Sequence, residues 1–359
     1  MIKNEKFYYS FFLVWFCYPL LANYTLVPAG LMSALQGVLI AFIGIIFFIR
    51  IRDSFQFILI LGIFLIMLLQ LALSLSSYNA AKFLGLFLIS SVLLSFDDAF
   101  LNDILYAYLK ILVVFLALLL FFVLIVPVLP NQIDTWLDRT RYTFGYKNAN
   151  FIALYAFNSV ILSVYLKKWR WLAVSLVLFL IVIKYSGTRS EAMFCGVFVI
   201  FYILNFLFRS FGFKIVQVLF CIWLISFILS FLSFILRNYP IVDILLSFRL
   251  TTLYILVNDL STICLFIGGA NEFFQADNAI ASVLFSYGIV GLVAFLTFSA
   301  YRMIIVSQRS TAMFVFVLSS FFVFMVENLF SPFTLWGILI IMQLLKIDQI
   351  PNSEMKVLL

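Results

Sequence analysis

Residues 29–75 read AGLMSALQGVLIAFIGIIFFIRIRDSFQFILILGIFLIMLLQLALSL. Two apolar runs, 29–49 and 55–75, are separated by a short segment that carries arginine and aspartate. A bilayer core about 30 Å thick needs about 20 apolar residues in a helix, so each run has the length of one membrane span. This stretch therefore predicts two transmembrane helices joined by a short charged turn.

The same pattern recurs along the chain. Of 359 residues, 66% are apolar and 10% are charged, whereas soluble domains carry roughly 25% charged residues. We therefore predict an all-α, polytopic integral membrane protein in which residues 1–359 form a single transmembrane domain. The apolar runs predict about 12 transmembrane helices, near residues 7–27, 29–49, 55–75, 82–96, 104–129, 148–166, 171–185, 190–208, 214–236, 278–300, 311–327 and 332–346.

The positive charges predict the orientation, because short cytoplasmic loops are enriched in Lys and Arg. One orientation places on the cytoplasmic side Lys3, Lys6, Arg50, Arg52, Lys167, Lys168, Arg170, Arg209, Lys214, Arg302, Arg309, Lys346 and Lys356. Both termini are then cytoplasmic. The basic residues left on the other side, which topology does not require, are Lys82, Arg139, Arg141, Lys147, Lys184, Arg189, Arg237 and Arg249.

Composition also restricts the chemistry. The net charge of +7 is scattered between apolar runs, which argues against a nucleic-acid partner. The four cysteines have no metal-ligand or disulfide spacing, and the chain has no histidine. Catalysis would have to use carboxylates, arginines or tyrosines, and we predict no metal and no cofactor.

Two external loops stand out by their length: 130–147 and 237–277. The second contains IVDILLSFRLTTLYILVN, residues 241–258, whose polar residues share one face of a helix. We predict a membrane-surface helix here, between spans nine and ten, because a thirteenth span would put Arg302 and Arg309 outside. Arg249 falls on the apolar face and needs an anion or a wet cavity.

Two motifs that contain basic residues lie in or next to external segments. The first is DTWLDRTRYTFGYKNANFIALY, residues 134–155, where Arg139, Arg141 and Lys147 suit phosphate and the aromatic rings suit sugars. Asn148 or Asn150 would cap the following helix. The alternative is a solvated loop whose arginines meet lipid headgroups.

The second motif is KYSGTRSEAMF, residues 184–194, where Gly187 permits a tight turn. Ser190 or Thr188 would cap the next helix. A turn with a cap accounts for every feature of this motif except Arg189.

Two further segments carry carboxylates. GGANEFFQADNAIASVLFSYGIVGL, residues 268–292, places Glu272 and Asp277 before a helix, where Asp277 is alternatively a simple N-cap. ENLFSP, residues 327–332, places Glu327 at the outer end of a span, where an ion pair with an external arginine is the alternative to catalysis.

In these motifs the chain resembles the superfamily of O-antigen polymerases and O-antigen ligases. KNAN is similar to an NPN turn, SGTRS to a GSR turn and SFRLTTL to an arginine-bearing external loop. The glycine pair and the DN of the 268–292 segment follow in the family's order, and Glu327 is similar to the terminal glutamate motif. The resemblance covers roughly residues 130–345, and Ala149 stands where the family has proline.

The resemblance implies a metal-independent glycosyltransferase. Its substrate would be an undecaprenyl-diphosphate-linked oligosaccharide, and its product a lengthened O-antigen, capsule or exopolysaccharide chain on the periplasmic side. Arg189, Arg249 and Asp277 would be catalytic. Arg139, Arg141, Lys147, Arg237, Glu272 and Glu327 would bind substrate. The bilayer is a partner, and the resemblance also implies a chain-length regulator and a flippase.

Two alternatives remain at this stage. An O-antigen ligase is disfavoured because that branch carries a histidine where Asp277 stands. A lipid-linked-sugar flippase or other transporter is disfavoured because the charges cluster at span ends rather than in mid-span.

Overall fold

The computed structural model describes residues 2–51, 54–129, 133–136, 139–188, 249–270, 279–309 and 335–345, together with residues 192, 195, 196 and 199. This part of the chain is mostly helical. The helices are α1 (Ile2–Ala22), α2 (Ala29–Arg50), α3 (Ser54–Ala72), α4 (Tyr78–Leu94), α5 (Asp98–Leu120), α6 (Ala149–Tyr165), α7 (Trp169–Ser186), α8 (Arg249–Asn258), α9 (Thr262–Ile267), α10 (Ala279–Arg309) and α11 (Leu335–Leu345). A π-helical turn, Phe121–Ile125, continues α5.

Five helical segments in the described part of the chain are long and apolar enough to cross a membrane. They are Ala29–Arg50, Phe55–Ala72, Asp98–Ile125, Trp169–Ser186 and Ser282–Ser299. Shorter apolar segments occupy Ala80–Leu94 and Ala149–Tyr165. The protein is thus a membrane-embedded helical protein, as the hydropathy indicates. The predicted spans at 190–208, 214–236 and 311–327 lie wholly or mainly outside the described residues.

Several helix boundaries differ from those predicted. Helix α1 ends at Ala22 rather than near residue 27, because residues 23–27 turn and pair with a segment far along the chain. Helix α5 begins at Asp98, six residues before the predicted start at 104, because the Asp97 side chain accepts a hydrogen bond of 2.7 Å from Phe100 N. Apolar runs locate spans, whereas capping residues locate their ends.

Helices α5, α6 and α7 form one packed group. Most of α6 is buried, and it packs against both α5 and α7. The α6–α7 pair contains the small polar residues Ser159, Ser163 and Ser175, and the hydroxyls of Ser163 and Ser175 lie 3.3 Å apart. Small residues let membrane helices approach closely, and their hydroxyls find partners on the neighbouring backbone.

A second group joins the two ends of the chain. Helix α4 packs against α2, α3, α10 and α11. The Tyr287 hydroxyl on α10 donates to the Ala80 carbonyl on α4 at 3.1 Å. Helix α10 also runs to Arg309, beyond the predicted end near residue 300, so Arg302 is a buried helical residue rather than a loop residue.

Segment 130–147, which is predicted to be external, contains a feature that the helical prediction did not include. Strands β1 (Ile133–Trp136) and β2 (Arg139–Tyr142) form an antiparallel hairpin that pairs Asp134 with Arg141 and Trp136 with Arg139. Neither four-residue strand alternates polar and apolar residues, so the sequence did not predict it. The hairpin forms the first part of the first sequence motif, and the 143–147 turn connects it to the start of α6.

The predicted surface helix at 241–258 is described from Arg249 onward, as α8. Its residues Leu256 and Val257 pack beside the buried pair Ala270 and Phe285, while Ile255 is 51% exposed. Its placement at the membrane surface stays a prediction. Residues 241–248 lie outside the described part.

Candidate functional site

Arg141 connects the first two sequence motifs. It lies on β2, and its Nε–H donates to the Ser186 carbonyl at the end of α7, at 3.1 Å. Its Nη2 group donates to the Asn150 side chain in the first turn of α6. The hairpin, the KNAN turn and the SGTRS turn therefore meet at one end of the α6–α7 pair.

The turn after α7 is shaped to meet Arg141. Gly187 ends α7 in the left-handed conformation, with φ +61°, as the sequence predicts. A Cβ there would lie 3.5 Å from the Arg141 Cγ. The Ser186 and Thr188 hydroxyls lie 3.1 Å apart in a buried position. Arg141 is thus fixed in direction. Among the described residues, its two Nη1 hydrogens and its second Nη2 hydrogen have no acceptor.

The KNAN turn has the capping role that the sequence predicts. Asn148 is the N-cap of α6, and its side chain accepts a hydrogen bond of 2.9 Å from Asn150 N. Asn150 in turn accepts from Arg141. The two asparagines therefore have different functions: one begins the helix and the other orients the arginine.

Hydrogen bonds connect the 143–147 turn, which follows the hairpin, to the turn between α1 and α2. We call these contacts the polar seam. Thr25 donates to the Gly145 carbonyl through both its amide N–H and its hydroxyl, at 2.9 Å and 2.8 Å. Lys147 N donates to the Asn23 carbonyl at 3.1 Å. Gly145 has φ +82°, and a Cβ there would come within 2.6 Å of the Tyr24 ring, so glycine is required.

Tyr146 connects the polar seam to α1. Its buried hydroxyl donates to the Leu20 carbonyl near the end of α1, at 3.0 Å. Its ring contacts Tyr24 edge-on, with centroids 5.3 Å apart. Burial raises the pKa of the Tyr146 phenol well above its ordinary value, so the hydroxyl stays protonated and serves as a donor.

Aromatic rings and cations surround the Arg141 position. Tyr142 and Tyr185 meet edge-on with centroids 5.8 Å apart. The exposed Lys184 places its Nζ 5.7 Å from the Tyr185 ring centre, and Lys147 is exposed at the start of the KNAN turn. Such a surface offers ring faces to sugars and fixed positive charge to phosphate.

The glycine pair of the 268–292 segment packs tightly against α10. We call this close contact the joint. Gly268 and Gly269 have φ +80° and +77°, and Gly288 interrupts α10 with φ +66°. Ala270 N donates to the Phe285 carbonyl at 3.1 Å. A Cβ on Gly268 would collide with the Ser286 backbone, and a Cβ on Gly288 would collide with the Phe266 carbonyl. Glycine is needed wherever two backbones approach so closely.

Gln70 of α3 closes the joint. It is fully buried, and its Nε2 group donates to the Ile267 carbonyl at 3.0 Å and to the Ser286 carbonyl at 2.6 Å. These carbonyls belong to the end of α9 and to the turn before the break in α10. The amide therefore supplies hydrogen bonds where the interrupted backbone would otherwise lack them.

The structure brings only part of the predicted site together. Arg141 and Lys147 are described, whereas Arg139 and Arg249 are described for the backbone alone. The remaining predicted residues lie outside the described part of the chain: Arg189, Arg237, Glu272, Asp277 and Glu327. Their roles stay predictions.

Sequence reasoning missed Gln70 and the break at Gly288. A single glutamine near the end of an apolar run gives no signal, because its partners lie about 200 residues further along the chain. The sequence signal for the joint was the glycines Gly268, Gly269 and Gly288, each of which has a φ above +60° in the structure. A glycine inside a helical pattern is usually tolerated without a break, so this signal did not predict one.

Comparisons of the chain with protein-family models, with curated proteins and with solved structures found no match. The fold defines the class as a membrane-embedded helical protein. Because no relative matches, the functional proposal depends on the residues of this chain.

Proposed function

We propose that the protein polymerises lipid-linked oligosaccharide repeat units on the periplasmic side of a bacterial inner membrane. The reaction would transfer glycan from an undecaprenyl diphosphate carrier to a hydroxyl of another repeat unit. The observation that carries the proposal is the Arg141 connection. It joins the NPN-like and GSR-like turns, which lie 36 residues apart in the chain when measured from Asn150 to Ser186, through one guanidinium group.

The surroundings of Arg141 support a glycan and phosphate ligand. Tyr142 and Tyr185 present ring surfaces, and Lys184 is an exposed cation beside Tyr185. Lys147 is an exposed cation at the start of the KNAN turn. These residues occupy the end of the bundle where the positive-inside pattern places the periplasm and does not call for lysines. A diphosphate-linked sugar would use both kinds of group.

Arg141 itself acts as a positioning residue in this proposal. Its Nε–H and one Nη2–H already donate to protein oxygens, so among the described residues both Nη1 hydrogens and the second Nη2 hydrogen are left for a ligand. Since Ser186 immediately precedes the GTRS turn, Arg141 would hold the chain just before Arg189. Arg139, Lys147 and Arg237 would complete the binding of the diphosphate and sugar, with Glu272 and Glu327 on the glycan hydroxyls.

The chemical step follows from the leaving group. The acceptor hydroxyl attacks the anomeric carbon, the bond from that carbon to the diphosphate oxygen breaks, and undecaprenyl diphosphate leaves with the electron pair. Arg189 and Arg249 would stabilise the developing negative charge. The carboxylate of Asp277 would accept the hydroxyl proton.

Transport of the same lipid-linked sugars is the second candidate, and the break in α10 favours it, because transporters often bind substrate at discontinuous helices. In this structure, however, the break is filled by backbone at Gly268 and by the Gln70 amide. A filled break is a packing joint, whereas a substrate site needs a cavity. The polymerase is therefore the better-supported proposal.

The test is a gel of surface polysaccharide from a strain lacking the gene, complemented with wild type, with Arg249→Ala, with Asp277→Ala or with Arg141→Ala at matched membrane abundance. Arg170→Ala is the control, because Arg170 is an exposed arginine at the opposite end of α7. We expect the deletion to leave single repeat units on the acceptor. Wild type and the control should restore the ladder, and the site variants should not.

Other patterns would overturn the proposal in distinguishable ways. Bare core together with long polymer on the undecaprenyl carrier would identify an O-antigen ligase. Single repeat units retained on carrier in the cytoplasmic leaflet would identify a flippase. A normal ladder in the deletion strain would exclude all three functions.

A further inference from the structure

A basic clamp lies at the other end of the bundle, formed by Tyr106, Lys110, Lys168 and Trp171. The Nζ atoms of Lys110 and Lys168 lie 4.1 Å and 4.7 Å from the centre of the Tyr106 ring. The Trp171 Nε1–H donates to the Tyr106 hydroxyl at 3.2 Å. Two ammonium groups from different elements therefore converge on one aromatic ring.

Topology does not explain Lys110. It lies on α5 about 18 Å along the axis from Asp98, taking about 1.5 Å per residue. The surrounding segment is strongly apolar, and its neighbours Ile111 and Val114 are 40% and 53% exposed. Side chains on a helix lean toward its N-terminus, so Lys110 extends back toward the α6–α7 turn that carries Lys168. Placing a lysine at this depth is costly unless the charge has a purpose.

The charges of the clamp are not balanced by carboxylates. In the part of the chain that the structure describes, neither ammonium group forms an ion pair. The acidic residues at this end are Asp97, Asp98 and Asp103. Asp97 accepts a hydrogen bond from Phe100 N, Asp98 is exposed at the start of α5, and Asp103 is exposed one turn before Tyr106. Within the described residues, the clamp thus presents two ammonium groups that have no carboxylate partner.

We propose that the clamp binds the phosphate of an anionic glycerophospholipid. The ammonium groups of Lys110 and Lys168 would hold the phosphate oxygens, and the Tyr106 hydroxyl has a hydrogen to donate because it accepts from Trp171. Trp169 is 62% exposed beside the clamp, which suits a ring at the level of the lipid headgroups. Basic groups between helix ends on the cytoplasmic side suit anionic lipid headgroups. This inference is independent of the proposed polymerase activity.

The test measures lipid binding to the purified full-length protein in a neutral detergent, by thermal unfolding and by native mass spectrometry. The added probes are phosphatidylglycerol, phosphatidylcholine and inorganic phosphate. We expect phosphatidylglycerol to bind and to raise the melting temperature. The double variant Lys110→Gln/Lys168→Gln should bind it at least about tenfold more weakly. Lys6→Gln removes an exposed lysine outside the clamp and should match wild type.

The charge-preserving variant Lys110→Arg/Lys168→Arg covers the case in which the glutamine variant does not fold, and it should keep most of the phosphatidylglycerol binding. Three results would overturn the proposal. These are unchanged phosphatidylglycerol binding by a folded glutamine variant, equal binding of phosphatidylcholine, and inorganic phosphate binding as tightly as the lipid, which would mean a site for a free anion.

Discussion

Arg141 shows why a residue's geometry and its charge must be tested separately. Its guanidinium bridges a backbone carbonyl on α7 and a side-chain amide on α6. Lysine carries the same charge but presents one compact ammonium group, which cannot span both acceptors with the geometry of a planar fork. The motif predicted a phosphate ligand here, and the contacts add an orienting function.

We therefore predict that Arg141→Lys loses about 1–3 kcal/mol of stability and abolishes the polysaccharide ladder despite its retained charge. Thermal unfolding in detergent and the gel assay measure these two effects. Arg170→Lys, at the opposite end of α7, is the matched control and should leave both unchanged. If Arg141→Lys keeps the full ladder, the bridge does not serve the activity.

Gly288 gives a second prediction at the residue scale. Alanine there would adopt a positive φ that L residues disfavour, and its Cβ would collide with the Phe266 carbonyl. We expect Gly288→Ala to lower the amount of folded protein in the membrane severely. Gly62→Ala is the control, because nothing lies within 4 Å of a Cβ at that position on α3. It should change stability by less than about 1 kcal/mol. Equal amounts of folded Gly288→Ala and Gly62→Ala protein in the membrane would show that the close contact at Gly288 does not require glycine.

At the scale of elements, α10 consists of two helical segments, and α3 connects the first of them to α9. Gln70 of α3 bonds both the end of α9 and the turn preceding the break. Hydropathy located α10 but could not show its interruption, because the apolar run continues through Gly288. Close approach between residues distant in sequence leaves no periodic pattern.

We predict that Gln70→Leu, which preserves approximate volume, destabilises the protein by about 1–3 kcal/mol for each carbonyl left without a donor. Gln36→Leu is the control, since Gln36 is half-buried and receives one hydrogen bond, 3.3 Å long, from Tyr18. The melting temperatures of the two purified variants provide the comparison. A smaller loss for Gln70→Leu than for Gln36→Leu would show that the joint does not depend on the amide.

At the scale of the whole molecule, composition was enough to predict a helical membrane protein. Apolar runs located α2, α3, α6 and α7 to within three residues at each end, because span length is set by bilayer thickness. The hairpin was not predicted, because its two four-residue strands are too short to show a strand pattern. The polar seam was not predicted, because its hydrogen bonds join segments about 120 residues apart. Of the candidate site, the Asn148 cap and the Gly187 turn were predicted, because local backbone geometry determines both.

The orientation gives a prediction at the same scale. In a variant whose native cysteines are replaced, Lys147→Cys should react with a membrane-impermeant maleimide added to spheroplasts, because Lys147 is exposed at the predicted periplasmic end. Lys167→Cys, exposed between α6 and α7, should react only after the membrane is opened. Reversed labelling would place both termini outside.

The seam between Thr25 and Gly145 has a consequence for biosynthesis. When the first two helices enter the membrane, the partner of their connecting turn has not yet been translated, because it lies 120 residues downstream. At about 5–20 residues per second, the turn waits on the order of ten seconds before Gly145 emerges. A ribosome stalled in this interval would leave the turn unpaired, and that exposed backbone would mark the incomplete chain for proteolysis.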